Sequence, residues 1–104
     1  MVTPAQGEIW WAETEDEKRR PVLVVTRSHA VPVLNAILVA PITTRIRKVA
    51  TELPLGEETG LREPCVASFD NLQRIRPGVL TDRVGALADP RQRICKALAA
   101  LADC

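Results

Sequence analysis

Two apolar runs, Pro21-Val22-Leu23-Val24-Val25 and Val39-Ala40-Pro41-Ile42, each carry polar residues at one end, and their pairing constrains the fold most. Arg20, within Lys18-Arg19-Arg20, stands where the first run begins; Thr43 stands where the second ends. Runs rich in β-branched residues and apolar on both faces belong at the centre of a sheet. As antiparallel neighbours they bring those two ends together, placing a guanidinium beside a hydroxyl at one rim. Arg is a permanent, planar, bidentate partner for phosphate oxygens. The pair therefore suits a phosphodiester.

Around this centre the pattern predicts short strands at residues 7–14, 51–55, 65–70 and 82–87, with a short extension at 72–75. Residues 15–20 read as a charged connector and 44–50 as a basic loop. Pro54 places the 51–55 strand on an edge or at a bulge, and Pro77-Gly78 marks a turn. The period then changes. Asp89 as cap, Pro90 at the first position and Gln92 in a capping box predict a C-terminal helix. Its apolar stripe is Ile94, Ala97, Leu98 and Leu101. Strands at this spacing predict a small, strongly bent antiparallel sheet or barrel with a helix packed across it.

At 104 residues the chain suffices for one domain, 1–104, with a modest core. No window approaches the roughly 18 apolar residues of a membrane span. The start, Met1 to Glu8, lacks the basic and apolar stretches of a signal peptide, so a soluble cytoplasmic protein is expected. Net charge is only +1, yet basic residues cluster at Lys18-Arg19-Arg20, at Arg45, Arg47 and Lys48, and at Arg74 and Arg76. Such clusters can form one basic groove on a nearly neutral chain. Cys65, Cys95 and Cys104 have neither disulfide nor zinc spacing and are expected as reduced thiols, two of them small hydrophobes. No metal site or cofactor is expected.

In order along the chain, Gly7-Glu8-Ile9-Trp10, Arg20-Pro21-Val22-Leu23-Val24-Val25, Ala40-Pro41-Ile42-Thr43, Thr51-Glu52-Leu53-Pro54-Leu55, Val66-Ala67-Ser68-Phe69-Asp70-Asn71 and Asp82-Arg83-Val84-Gly85-Ala86-Leu87 resemble the signature segments of the MazF/PemK toxins. The resemblance implies a mainly β fold with a C-terminal helix, an SH3-like small barrel of the MazF/CcdB type. It further implies a homodimer that cleaves single-stranded RNA without a metal, and a cognate antitoxin whose acidic C-terminal tail fills the RNA groove. Two departures stand out. The connector between the first strands is short and lacks the histidine some relatives carry there. Ser68 stands where some relatives have a second Arg.

Metal-free RNA cleavage uses the 2′-hydroxyl as nucleophile and needs a proton acceptor, charge neutralisation and a proton donor. His29 is the only histidine, which excludes a two-histidine pair within one chain. Arg20 is the candidate for transition-state stabilisation and Thr43 for a hydrogen bond to a phosphate oxygen. Asp70 can accept a proton and Asn71 can read a base edge, although both also fit a turn after a strand. Arg19, Thr44, Arg45, Arg47 and Lys48 are candidate RNA contacts. Trp10 and Trp11 face opposite ways, and packing is expected for both; Phe69 is expected in the core. Alternatives on related lines are a CcdB-like inhibitor that cleaves nothing, or a degenerate module that binds RNA or titrates antitoxin. The chain ends Leu101-Ala102-Asp103-Cys104 rather than in the Trp-Gly-Ile of CcdB.

Overall fold

The computed structural model describes residues 3–14 and 17–102, and its centre is built by the two apolar runs. β1 (Glu8–Thr14), β2 (Glu17–Val24) and β3 (Ile37–Thr43) form consecutive antiparallel pairs. β4 (Glu52–Leu55) and β5 (Cys65–Ser68) extend the sheet beyond β3. β6 (Gln73–Ile75) pairs with the other half of β3, and β7 (Leu80–Ala86) pairs with β1. The order is β4-β5-β3-β2-β1-β7, with β6 beside β3. Helix α1 (Pro90–Leu101) follows.

Alternation along the central strands gives each face its own apolar cluster. Ile9, Leu23, Val25, Ala40, Leu53, Leu55, Ala67 and Phe69 gather on one face, covered by Ile94 and Ala97 of α1. Trp10, Val22, Val24, Ile37 and Val39 gather on the other, covered by Val31 from a 3-10 turn at Ser28–Val33. Pro21 precedes the first rung shared with β3, Val22 opposite Pro41, so its missing N–H removes no bond from that ladder.

The sheet is open but strongly curled. The turn after β4 carries Thr59, fully buried, against β7. A Cβ on Gly85 would collide with the Thr59 carbonyl, so only glycine allows the two ends of the sheet to approach. No helix among the described residues is long and apolar enough to cross a membrane.

Several expectations need correction. The connector is shorter than residues 15–20, because the β1–β2 ladder runs through Ala12 opposite Arg20 to Thr14 opposite Glu17. Residues 15 and 16 lie outside the described residues, as does Cys104. The fifth strand ends at Ser68, and Phe69–Asn71 is a 3-10 turn. Asp89 precedes α1, but at φ 49° its side chain makes no capping hydrogen bond. Leu101 is 41% exposed, so the apolar stripe ends one turn early. Cys95 is exposed on the outer side of α1, whereas Cys65 is buried.

Candidate active site

The β2–β3 register pairs Val22 with Pro41, Leu23 with Ala40 and Val24 with Val39. Arg20 and Thr43 each lie two residues beyond the last rung of that ladder, so alternation puts both on the face shared with Val22 and Pro41. The β4–β5 register sets Glu52 opposite Ser68, and β3–β5 sets Thr43 opposite Val66. One face of the curled sheet thus presents Glu52, Ser68, Thr43 and Arg20 across four strands. Between them opens a cleft of about 530 Å³, lined also by Arg45, Arg47, Asn71 and Gln73.

Hydrogen bonds organise this polar floor. The Thr43 hydroxyl accepts the Arg45 backbone N–H at 3.1 Å. A hydroxyl has one hydrogen and two lone pairs, so Thr43 still has a hydrogen to donate. The Glu52 carboxylate accepts the backbone N–H groups of Arg47 at 2.8 Å and Lys48 at 2.9 Å. Asn71 donates its side-chain amide to the Ser68 hydroxyl at 2.9 Å. Three guanidinium groups and one carboxylate therefore face the cleft, which makes it electropositive.

Of the residues singled out in the sequence, Arg20, Thr43, Arg45, Arg47 and Asn71 come together here. Four do not. Arg19 alternates to the opposite face from Arg20, lies 4.7 Å from the Trp11 ring centroid and pairs with Asp82 and Glu13. Asp70, in the 3-10 turn, is exposed and accepts the Thr51 hydroxyl at 2.5 Å. Lys48 is exposed on the loop at φ 60°. Thr44 borders a second cleft of about 690 Å³, walled by Trp11, Leu61 and Val84 and sharing Thr43 with the first. Glu52, Ser68 and Gln73 also line the cleft, and sequence reasoning does not single them out. The alternation of Glu52 against Leu53 and Leu55 was the available signal, but only cross-strand register reveals its neighbours.

The remaining candidates are structural. Trp10 and Phe69 are core residues, Trp11 is half-buried, and His29 is exposed. Cys65 borders the second cleft, but burial, helped by the charge of Glu63, raises its thiol pKa. It is a poor nucleophile near neutral pH.

Comparison with known proteins identifies the family. Residues 5–103 match the family model for the PemK-like, MazF-like toxin of type II toxin-antitoxin systems. A Mycobacterium tuberculosis protein named "Probable endoribonuclease MazF5" is 44% identical over 104 residues, spanning 97% of this chain and 94% of its own length. The solved structure of Mycobacterium tuberculosis toxin MazF-mt6 superposes with a TM-score of 0.81 at 38% identity, covering 92% of this chain and 96% of that one. A mycobacterial endoribonuclease solved in complex with its cognate antitoxin shares the fold, at TM-score 0.80 and 22% identity over 95% of each chain. This chain belongs to the PemK/MazF-like toxins of type II toxin–antitoxin systems.

Proposed function

We propose that the protein is a cytoplasmic endoribonuclease toxin that cuts single-stranded RNA without a metal, works as a homodimer, and is neutralised by a cognate antitoxin. The observation that carries this reading is the convergence of Arg20 and Thr43 in one electropositive cleft. The 2′-hydroxyl loses its proton and its oxygen bonds to phosphorus. The bond from phosphorus to the 5′-oxygen breaks, and that oxygen takes up a proton. The products are a 2′,3′-cyclic phosphate and a 5′-hydroxyl.

Negative charge grows on the non-bridging oxygens along this path. Arg20 offers a bidentate cation to those oxygens, and Thr43 offers an oriented O–H. Arg45 and Arg47 suit the flanking phosphates, and Asn71 suits a base edge of splayed RNA. The same positive cleft suits an acidic antitoxin tail, whose carboxylates would compete for the guanidinium groups.

The test is to incubate purified, antitoxin-free protein with a long unstructured RNA in EDTA and to map the fragment ends. Discrete cuts bearing 2′,3′-cyclic phosphate and 5′-hydroxyl ends are expected. Intact RNA beside a folded protein would favour the inhibitor or degenerate-module reading, and chelator-sensitive cutting would overturn the metal-free path.

A further inference from the structure

The segment between β3 and β4 carries Arg45, Arg47 and Lys48 but has no strand or helix across those residues to hold it in place. One carboxylate does much of that work. Glu52, the first residue of β4, takes the N–H groups of Arg47 and Lys48 on a single oxygen, Oε1. Its own N–H closes the loop onto the Val49 carbonyl at 3.0 Å. Lys48 is held at φ 60°, a conformation that residues with a Cβ rarely adopt. Successive backbone N–H groups around such a residue make a concave anion site, and the Glu52 carboxylate fills it. At the other end of the loop, the Thr43 hydroxyl takes the Arg45 N–H.

The loop is therefore clamped at both ends to residues of the cleft floor, and Arg45 and Arg47 line that cleft. A carboxylate among guanidinium groups would ordinarily weaken phosphate binding. Here its acceptor capacity is turned onto the backbone. Long basic side chains bind phosphates better when the backbone that carries them is already ordered, since less freedom is lost on binding.

We propose that Glu52 is a positioning residue for RNA binding, acting through the backbone of Arg47 and Lys48 to set Arg45 and Arg47 over the cleft. The proposal rests on the reading that this cleft takes RNA. It requires an acceptor oxygen at position 52 rather than a negative charge, which separates Glu52→Gln from Glu52→Ala.

Two readouts test it. One is affinity for a fluorescent, 2′-O-methylated single-stranded oligonucleotide pool of random sequence, which cannot be cut by 2′-hydroxyl attack. The other is hydrogen-exchange protection of the Arg47 and Lys48 amides by NMR, with thermal melts confirming that each variant folds. Glu52→Ala should weaken binding about tenfold, as expected for losing hydrogen bonds to a charged acceptor, and both amides should lose protection. Glu52→Gln should keep both properties within about threefold, because its side-chain oxygen still accepts. Equal impairment in the two variants would overturn the proposal, since charge would then be what matters. Unchanged binding or amide protection in Glu52→Ala would overturn it as well. Neither readout depends on turnover, so failure of the nuclease reading is told apart from failure of this one.

Discussion

Arg20 on β2 and Thr43 on β3 line one cleft, each two residues beyond Val22–Pro41, the last rung of the central ladder. Both backbones belong to the most deeply packed part of the sheet, with Val22, Leu23, Val24, Val39 and Ala40 almost wholly buried. The pair is thus mounted on rigid elements, as a site for charge stabilisation requires.

Thr43 should contribute through its hydroxyl. Thr43→Val removes both the O–H and the acceptor for the Arg45 N–H, and should lower kcat at least about tenfold, the worth of one hydrogen bond to charge. Thr43→Ser should stay within about threefold. Steady-state kinetics on one oligonucleotide decide it, and a Thr43→Val enzyme as fast as the parent would remove Thr43 from the mechanism.

Asp70 and Asn71 should behave differently. Asp70 is tied to Thr51 outside the cleft, whereas Asn71 lines it. Asp70→Asn should leave cleavage within about threefold, well short of the hundredfold typical of a lost acid or base. Asn71→Ala should shift cleavage-site preference when fragment ends are mapped. A large rate loss in Asp70→Asn would restore it as proton acceptor.

Glu8 should mark the acid limb of stability. Burial raises its pKa, but hydrogen bonds from Arg83, the Ala5 N–H and the Trp10 indole, with the charge of Arg83, outweigh that effect and leave it below the ordinary 4.5. A carboxyl lowered on folding contributes stability that is complete above its unfolded value and lost as pH falls through the folded one. Thermal melts should show Glu8→Gln less stable at neutral pH, with the gap closing on acidification below 4.5. A gap independent of pH would refute the assignment.

Gly85 should tolerate no side chain. Gly85→Ala pushes a methyl group into the Thr59 carbonyl at the seam of the curled sheet. The cost should be on the order of 3 kcal/mol, a fall in Tm of roughly 10 °C or more for a domain of this size. An unchanged Tm would mean that the seam opens freely.

Most of the fold was legible because its signals are local. Double apolarity placed β2 and β3 in the interior, Pro54 placed β4 at the end of the sheet, and Pro90 opened α1. The end of β5 was not legible. Cys65 to Phe69 are all buried, so no alternation marks where strand gives way to turn, and the pattern extends the strand to Asp70. At the site, Arg20 and Thr43 stood out because each ends an apolar run. Arg19 follows the same alternation to the other face, which composition alone conceals. Glu52 was hidden for a different reason: its partners, Ser68 and the amides of Arg47 and Lys48, are set by strand pairing and loop closure.

On the proposed function, Arg20 stabilises the cleavage transition state from this cleft. The most direct test compares the parent, Arg20→Ala and Arg20→Lys on an oligonucleotide with one ribose at the mapped scissile position, with melts and binding measured alongside. Native-like melting is expected, with kcat lowered on the order of 100- to 1,000-fold in Arg20→Ala and only partly recovered by the single-point cation of Lys. A folded Arg20→Ala protein that cleaves at the parent rate would contradict it.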